Sequence, residues 1–296
     1  MRIGINLSFA TKKWQNPETL ASFIRQELNI HYVQFSWDII DPWWPASKRK
    51  KIAYKFAKVF RDQGLNLLSS FGGLASYTYP QLLSKEKEQR NISKIYFKRA
   101  IDLASEMGID IIGTPLGGIA IEDYDNKNKK YELYNELIEN IAELSVYAKM
   151  KGLKKILVEP TPLSNEIPNS PDDSLQLMKD FEKIASIPIM LLIDLGHALY
   201  KPLLKENADI VKWINICRDY IDSLHIQQTD GVLDRHWGFS QNGIVDQNVF
   251  KNINNLLGEK IIGYLELIFP FEMNREEVMK EVKYSIEYIS QYSSNH

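Results

Sequence analysis

The 296-residue chain has a single cysteine, Cys217, which excludes an internal disulfide and any metal centre built on several thiolates. Cys217 falls in the apolar helical pattern Ile210, Val211, Ile214, Cys217, which gives it a buried packing role rather than a reactive one. A run of ~20 apolar residues, the length of a membrane helix, is missing. The opening Met1-Arg2-Ile3-Gly4-Ile5-Asn6-Leu7 lacks the long apolar core of a secretory signal, so the sequence is read as cytoplasmic, with no membrane partner. Surplus positive charge is absent too: 36 Lys and Arg against 38 Asp and Glu leave a net charge of -2. A nucleic-acid partner, whose phosphates call for a basic face, is therefore not expected. The Gly-x-Gly-x-x-Gly turn that marks many dinucleotide folds after their first strand is replaced here by Asn6-Leu7-Ser8-Phe9-Ala10. Linkers rich in Pro, Gly or Ser are lacking, and 44% hydrophobic content suffices for a full core, so one domain over 1–296 is expected.

What the chain does have is a regular alternation of short apolar runs with longer amphipathic stretches, the pattern of repeated βα units around a parallel sheet. The runs predict strands over 2–7, 31–37, 65–71, 109–114, 155–159, 189–194, 223–227 and 262–267. Helical patterns lie near 17–28, 48–63, 91–107, 131–151, 172–186, 205–218, 246–258 and 274–291. Asn16-Pro17-Glu18 sets a proline in a first helical turn, and Gly64, Gly108, Gly152 and Gly258 each follow a helix, as closing glycines do. Eight units in a chain of this length predict an α/β fold of the (β/α)8, or TIM, barrel type rather than a doubly wound open sheet. The basic runs Lys48-Arg49-Lys50-Lys51 and 127–130 read as solvated surface.

Strand six ends in Ile193-Asp194-Leu195-Gly196-His197, an apolar run closed by an aspartate with a histidine three positions on. In sheets built from βα units the C-terminal ends of the strands are where ligands bind, so Asp194 and His197 are placed to hold a metal or a substrate oxygen. Three neighbouring runs end the same way, in Glu159, His225 and Glu266. Three carboxylates and one imidazole on consecutive strands form a mixed oxygen and nitrogen set suited to one divalent ion such as Mn2+, Co2+ or Mg2+. Each residue alone has a plainer role as ion-pair partner, helix cap or core histidine, and it is their joint placement that favours a metal site. The loops after strands two to four, with Trp37, Trp43, Trp44, Gly72, Gly73, Gly117 and Gly118, would surround the same mouth.

These residues carry a resemblance to the xylose-isomerase-like TIM barrels, and within them to the ketose 3-epimerases, such as D-tagatose and D-psicose 3-epimerase. In that family strands five to eight supply Glu, Asp, His and Glu to one divalent ion, and the pattern falls on Glu159, Asp194, His225 and Glu266. A histidine three residues after the aspartate, here His197, touches substrate, and a further substrate-binding glutamate falls on Glu166. The resemblance implies that the ion polarises a ketose carbonyl while Glu159 and Glu266, as catalytic acid and base, exchange the C3 proton on opposite faces through an enediolate. The loop after strand seven departs from the sugar epimerases: their arginine is absent a few residues past the metal histidine, and Asp234-Arg235-His236 stands later. With Glu159-Pro160-Thr161-Pro162 and Asp194-Leu195-Gly196-His197, it is similar to the erythrulose-phosphate epimerase or isomerase relatives. Arg235 and His236 would then bind a substrate phosphate, since loops after strands seven and eight are a frequent phosphate site in such barrels. A loop salt bridge from this pair to Asp234 or Asp230 is the other reading.

The expected partner is a small sugar or sugar phosphate, with a homo-oligomer open. An aldose–ketose isomerase on the same scaffold is the alternative to the epimerase. A repair nuclease resembling endonuclease IV needs a histidine-rich multi-zinc cluster, whereas this chain offers only His31, His197, His225 and His236 besides the terminal His296. A sugar-binding barrel without chemistry would have no need of four intact ligands.

Overall fold

The computed structural model describes residues 1–78 and 81–292. Strands β1 (Arg2–Asn6), β2 (Tyr32–Ser36), β3 (Asn66–Phe71), β4 (Ile111–Thr114), β5 (Lys155–Val158), β6 (Ile189–Asp194), β7 (Ile221–Ile226) and β8 (Ile262–Leu265) pair in sequence order into a closed barrel. All are parallel, and β8 returns to β1 with Arg2 opposite Ile262 and Ile5 opposite Leu265. The outer ring is α1 (Pro17–Ser22), α2 (Ala46–Asp62), α3 (Lys87–Met107), α4 (Lys127–Met150), α5 (Pro171–Glu182), the one-turn α6 (Leu195–Ala198) and α7 (Lys201–Leu204), α8 (Ile210–Cys217), α9 (Gln247–Leu257) and α10 (Arg275–Ser290). The predicted (β/α)8 barrel is the observed fold.

Local chemistry sets the boundaries. The Asn16 side chain accepts the Thr19 N–H ahead of Pro17, as the cap reading required, and Gly64, Gly108, Gly152 and Gly258 all take positive φ past their helices. The helix expected over 205–218 starts only at Ile210, because the Asp209 carboxylate accepts the Val211 N–H at 2.8 Å and caps it there. Lys205–Asn207 ahead of it form a separate 3-10 turn.

A small inner core of Phe71, Leu157 and Leu192 fills the barrel beneath its mouth, separate from the large core between strands and helices. Gly113 makes room for it: a Cβ there would lie 2.5 Å from the Phe71 ring. Outside, α2 buries Ala53, Phe56, Ala57 and Phe60 at helical spacing. The same face carries Arg49, which corrects the reading of its basic run as solvated. Arg49 is 2% exposed and donates from Nε and Nη2 to both oxygens of Glu106 on α3, at 3.0 and 2.9 Å. Arg90 on α3 repeats the device toward Glu136 on α4, at 2.9 and 2.8 Å. Cys217 is fully buried, its thiol donating to the Pro171 carbonyl, and burial pushes that thiol up to about 12. Among the described residues no helix is long and apolar enough to cross a membrane.

Candidate metal centre

Glu159, Asp194, His225 and Glu266 meet at the C-terminal mouth of the barrel, all buried, with one ligand atom from each lying within 4.8 Å of the others. They arrive from β5, β6, β7 and β8, each at or beside a strand end, because parallel pairing aligns those ends on one face. The sequence-predicted ligands are thus brought together.

Hydrogen bonds fix how each donor faces. Asp194 caps α6 through Oδ1, which accepts the His197 N–H at 2.9 Å and the Gln227 amide at 2.8 Å. Its other oxygen, Oδ2, is buried without a partner. Across the barrel, the Gln34 amide group donates to Ser69 Oγ at 3.0 Å, so its oxygen is the acceptor for Asn6 Nδ2 at 2.6 Å and for His225 Nε2 at 2.6 Å. With its proton committed to Gln34 through Nε2, His225 turns the Nδ1 lone pair toward Glu159 Oε1 and Glu266 Oε2, both at 2.8 Å. A lone pair facing two carboxylate oxygens is repulsive unless a positive charge sits among them. Burial alone would lower the His225 pKa, but Glu266 and Glu159 outweigh it and push the ring up to about 10. A divalent cation fits this donor set: His225 Nδ1 and the orphaned Asp194 oxygen would be among the atoms that hold it, and the Nε2–H bond to Gln34 would remain as the outer support that metal-bound histidines use.

A second polar group adjoins the first. His197 holds Pro160 O at 2.9 Å through Nδ1 and faces Asp234 Oδ2 at 3.2 Å through Nε2. His236 faces Asp234 Oδ1 through Nε2 at 3.2 Å, with Nδ1 3.6 Å from Glu266 Oε2. Burial opposes charge on both rings, yet Asp194 and Asp234 raise His197 and Asp234 raises His236 to about 9. Gln227 links the two groups, its amide spanning Asp194 and Asp234 and its oxygen accepting the His236 N–H. Gly196 admits it: a Cβ there would lie 2.5 Å from Gln227 Nε2.

A cavity of about 340 Å3 opens over the centre, lined among others by Asp38, Gly72, Asp234, Arg235, His236 and Glu266. Arg235 reaches this wall but spends Nε and Nη2 on Asp230 Oδ2, at 2.9 and 2.7 Å, and stacks on Trp237. Glu166, from the loop after β5, accepts the Thr161 hydroxyl; burial raises its pKa, and Glu159 and His197 are close enough to act on it. Trp37 packs inward instead of lining the cavity, its Nε1–H on Ser70 Oγ at 2.9 Å, while Trp43 and Trp44 stand half exposed at the outer rim. Sequence reasoning passed over Gln34, Gln227, Asp38 and the bridging role of Asp234. Gln227 carried a usable signal, since Ser223, His225 and Gln227 alternate onto one strand face.

Fold and site together define a (β/α)8 enzyme with a carboxylate and imidazole centre at its mouth. The chain belongs to the xylose isomerase-like TIM barrel family, whose model matches residues 26–288. D-erythrulose 1-phosphate 3-epimerase of Brucella abortus (strain 2308) is 19% identical over 234 residues, covering 77% of this chain and 74% of that protein. A solved structure from Rhodospirillum rubrum, provisionally named a xylose isomerase, is 39% identical with a TM-score of 0.97 and matches over 100% of both chains. D-psicose 3-epimerase from Clostridium cellulolyticum H10 shares the fold at a TM-score of 0.73 and 11% identity over 99% of each chain. The activities named among these relatives are epimerisation or isomerisation, and the chain is an isomerase-class enzyme.

Proposed function

We propose that the protein interconverts the C3 epimers of a short ketose or ketose phosphate, in the cytoplasm, with one divalent ion (Mn2+, Co2+ or Mg2+) held by Glu159, Asp194, His225 and Glu266. The observation that carries this reading is the unpartnered Asp194 oxygen inside a donor set flanked by two glutamates. When bound, the ion would supply Lewis-acid polarisation of the C2 carbonyl. Glu159 and Glu266 come from strands separated by two others and converge on one point, which suits a base and an acid acting on a carbon between them. One glutamate, as carboxylate, takes the C3 proton and the C–H electron pair moves toward the carbonyl. The other, entering protonated, delivers its proton to the opposite face of C3, and the configuration inverts. His197 holds a substrate oxygen beside the centre, and Glu166, whose carboxyl pKa is raised by burial, holds another.

The test is turnover of a panel of ketoses and ketose phosphates in D2O. Deuterium at C3 is expected. Label at C1 or C2 would instead establish an aldose–ketose isomerase, a second reading favoured by the provisional name of the Rhodospirillum rubrum relative.

Substrate phosphate has a candidate seat at Arg235 and His236 on the cavity wall. Asp230 and Trp237 hold the guanidinium in one orientation, so it offers a fixed cation to a terminal phosphate. A four- or five-carbon ketose 1-phosphate is expected to exceed its free sugar by roughly tenfold or more in kcat/KM, because binding of the unreactive end orients the reacting one. Arg235→Ala should erase most of that ratio in steady-state kinetics. An unchanged ratio would reduce Arg235 to a fastener of its own loop.

A further inference from the structure

We infer that Asp38 takes the hydroxyl at the end of the substrate remote from its phosphate, and so admits ketose 1-phosphates while rejecting a phosphate at the other end. This rests on the epimerase reading and on its phosphate seat at Arg235. Of the charged groups on the wall of the cavity of about 340 Å3, Asp234 and His236 hold each other at 3.2 Å, Arg235 is held by Asp230, and Glu266 belongs to the proposed centre. Asp38, from the loop after β2, is the exception: among the described residues no side chain bonds to its carboxylate. Two backbone N–H groups of the loop after β3 aim it, Leu74 donating to Oδ2 at 2.9 Å and Ala75 to Oδ1 at 3.4 Å. Gly73 lets the carboxylate lie against that loop, since a Cβ there would collide with Asp38 Cγ.

A carboxylate only accepts, and it has room for about four hydrogen bonds, so two N–H groups leave Asp38 able to receive a donor from the cavity. A sugar hydroxyl is such a donor. A phosphate dianion is not, and Glu266 is near enough to Asp38 to add to the repulsion it would meet. Arg235 and His236 stand on the loop after β7 and Asp38 on the loop after β2, with β8 and β1 between them around the barrel. The cavity thus offers cations from one loop and a bare carboxylate from another. A four-carbon ketose 1-phosphate matches that polarity, with its phosphate at Arg235, its reacting carbons at Glu159 and Glu266, and its C4 hydroxyl at Asp38. The lysines nearby, Lys12, Lys48, Lys51 and Lys55, line an adjoining cavity of about 720 Å3, and none of them pairs with Asp38.

The experiment compares a four-carbon ketose 1-phosphate with its 4-deoxy analogue and with the 1,4-bisphosphate, by calorimetric binding to the full-length protein in the presence of Mn2+. Removing the C4 hydroxyl is expected to weaken binding to the wild type by roughly ten- to a hundredfold, the worth of a hydrogen bond to a charged group. Adding a phosphate there should weaken it by roughly a hundredfold or more. In Asp38→Ala the 4-deoxy penalty should shrink to about threefold or less. In Asp38→Asn, which removes the charge and keeps the shape, the bisphosphate should gain roughly tenfold or more on the monophosphate, with unchanged circular dichroism. A 4-deoxy analogue bound by the wild type as tightly as its parent overturns the inference, as does a penalty that survives in Asp38→Ala. A bisphosphate bound as tightly as the monophosphate also overturns it, and gives the second phosphate to the lysines of the adjoining cavity. Parallel turnover in D2O keeps the two readings apart: the expected binding preferences without deuterium at C3 remove the epimerase and leave the selection by Asp38 standing. No binding of any of the three ligands overturns both.

Discussion

Chelation of divalent cations is expected to abolish turnover, lowering kcat/KM by about a thousandfold or more, or about 4 kcal/mol of barrier. Without a cation, the positive charge that the centre demands has to come from a proton on His225, which Glu266 and Glu159 favour strongly enough to push the ring up to about 10. Both glutamates are then ion-paired to that ring at 2.8 Å, and neither is available to exchange a proton with substrate. Adding back Mn2+, Co2+ or Mg2+ should restore activity in the same sample. Undiminished turnover in protein shown metal-free by elemental analysis would overturn the centre.

Glu159→Gln and Glu266→Gln are each expected to lower kcat by about three to five orders of magnitude. A positioned acid or base accounts for about two to four of these, and loss of a charged ligand for the remainder. Glutamine matches glutamate in shape, so the two buried sites, 2% and 7% exposed, gain neither cavity nor clash, and thermal melting should show the fold intact. A useful control is Glu166→Gln: with the proposed role in substrate binding alone, it should change KM more than kcat. If Glu266→Gln keeps more than about a tenth of wild-type kcat, it is no acid or base in the reaction.

The strands were legible because a strand buried on both faces reads as an unbroken apolar run, and each of the four candidate ligands closes such a run. Ligand-type residues at consecutive strand ends need no further information to converge, since parallel pairing does that. Gln34 was invisible for the opposite reason: a neutral amide between Val33 and Phe35 carries no charge signal, and its role depends on a partner 191 residues away. Asp230 and Asp234 were read as ion-pair partners of Arg235 and His236, and they are. Asp230 holds the arginine and Asp234 faces His236, but its second oxygen also faces His197, which the sequence did not show. Arg49 was misread because its run was judged by charge alone. Its position four before Ala53, on the stripe of Phe56 and Phe60, was the better guide.

The contact between His225 and Gln34 ties the seventh strand to the second across the barrel. The proposed chemistry rides on the last four strands, but the proton that orients its imidazole is held by the second strand, itself steadied by the first and third. A partly folded chain therefore owns the carboxylates but not the aim of the nitrogen among them. Capture of the proposed cation would act as proof of assembly: binding would arrive with the closing of the ring, and the ion would add its binding energy to the closed form alone.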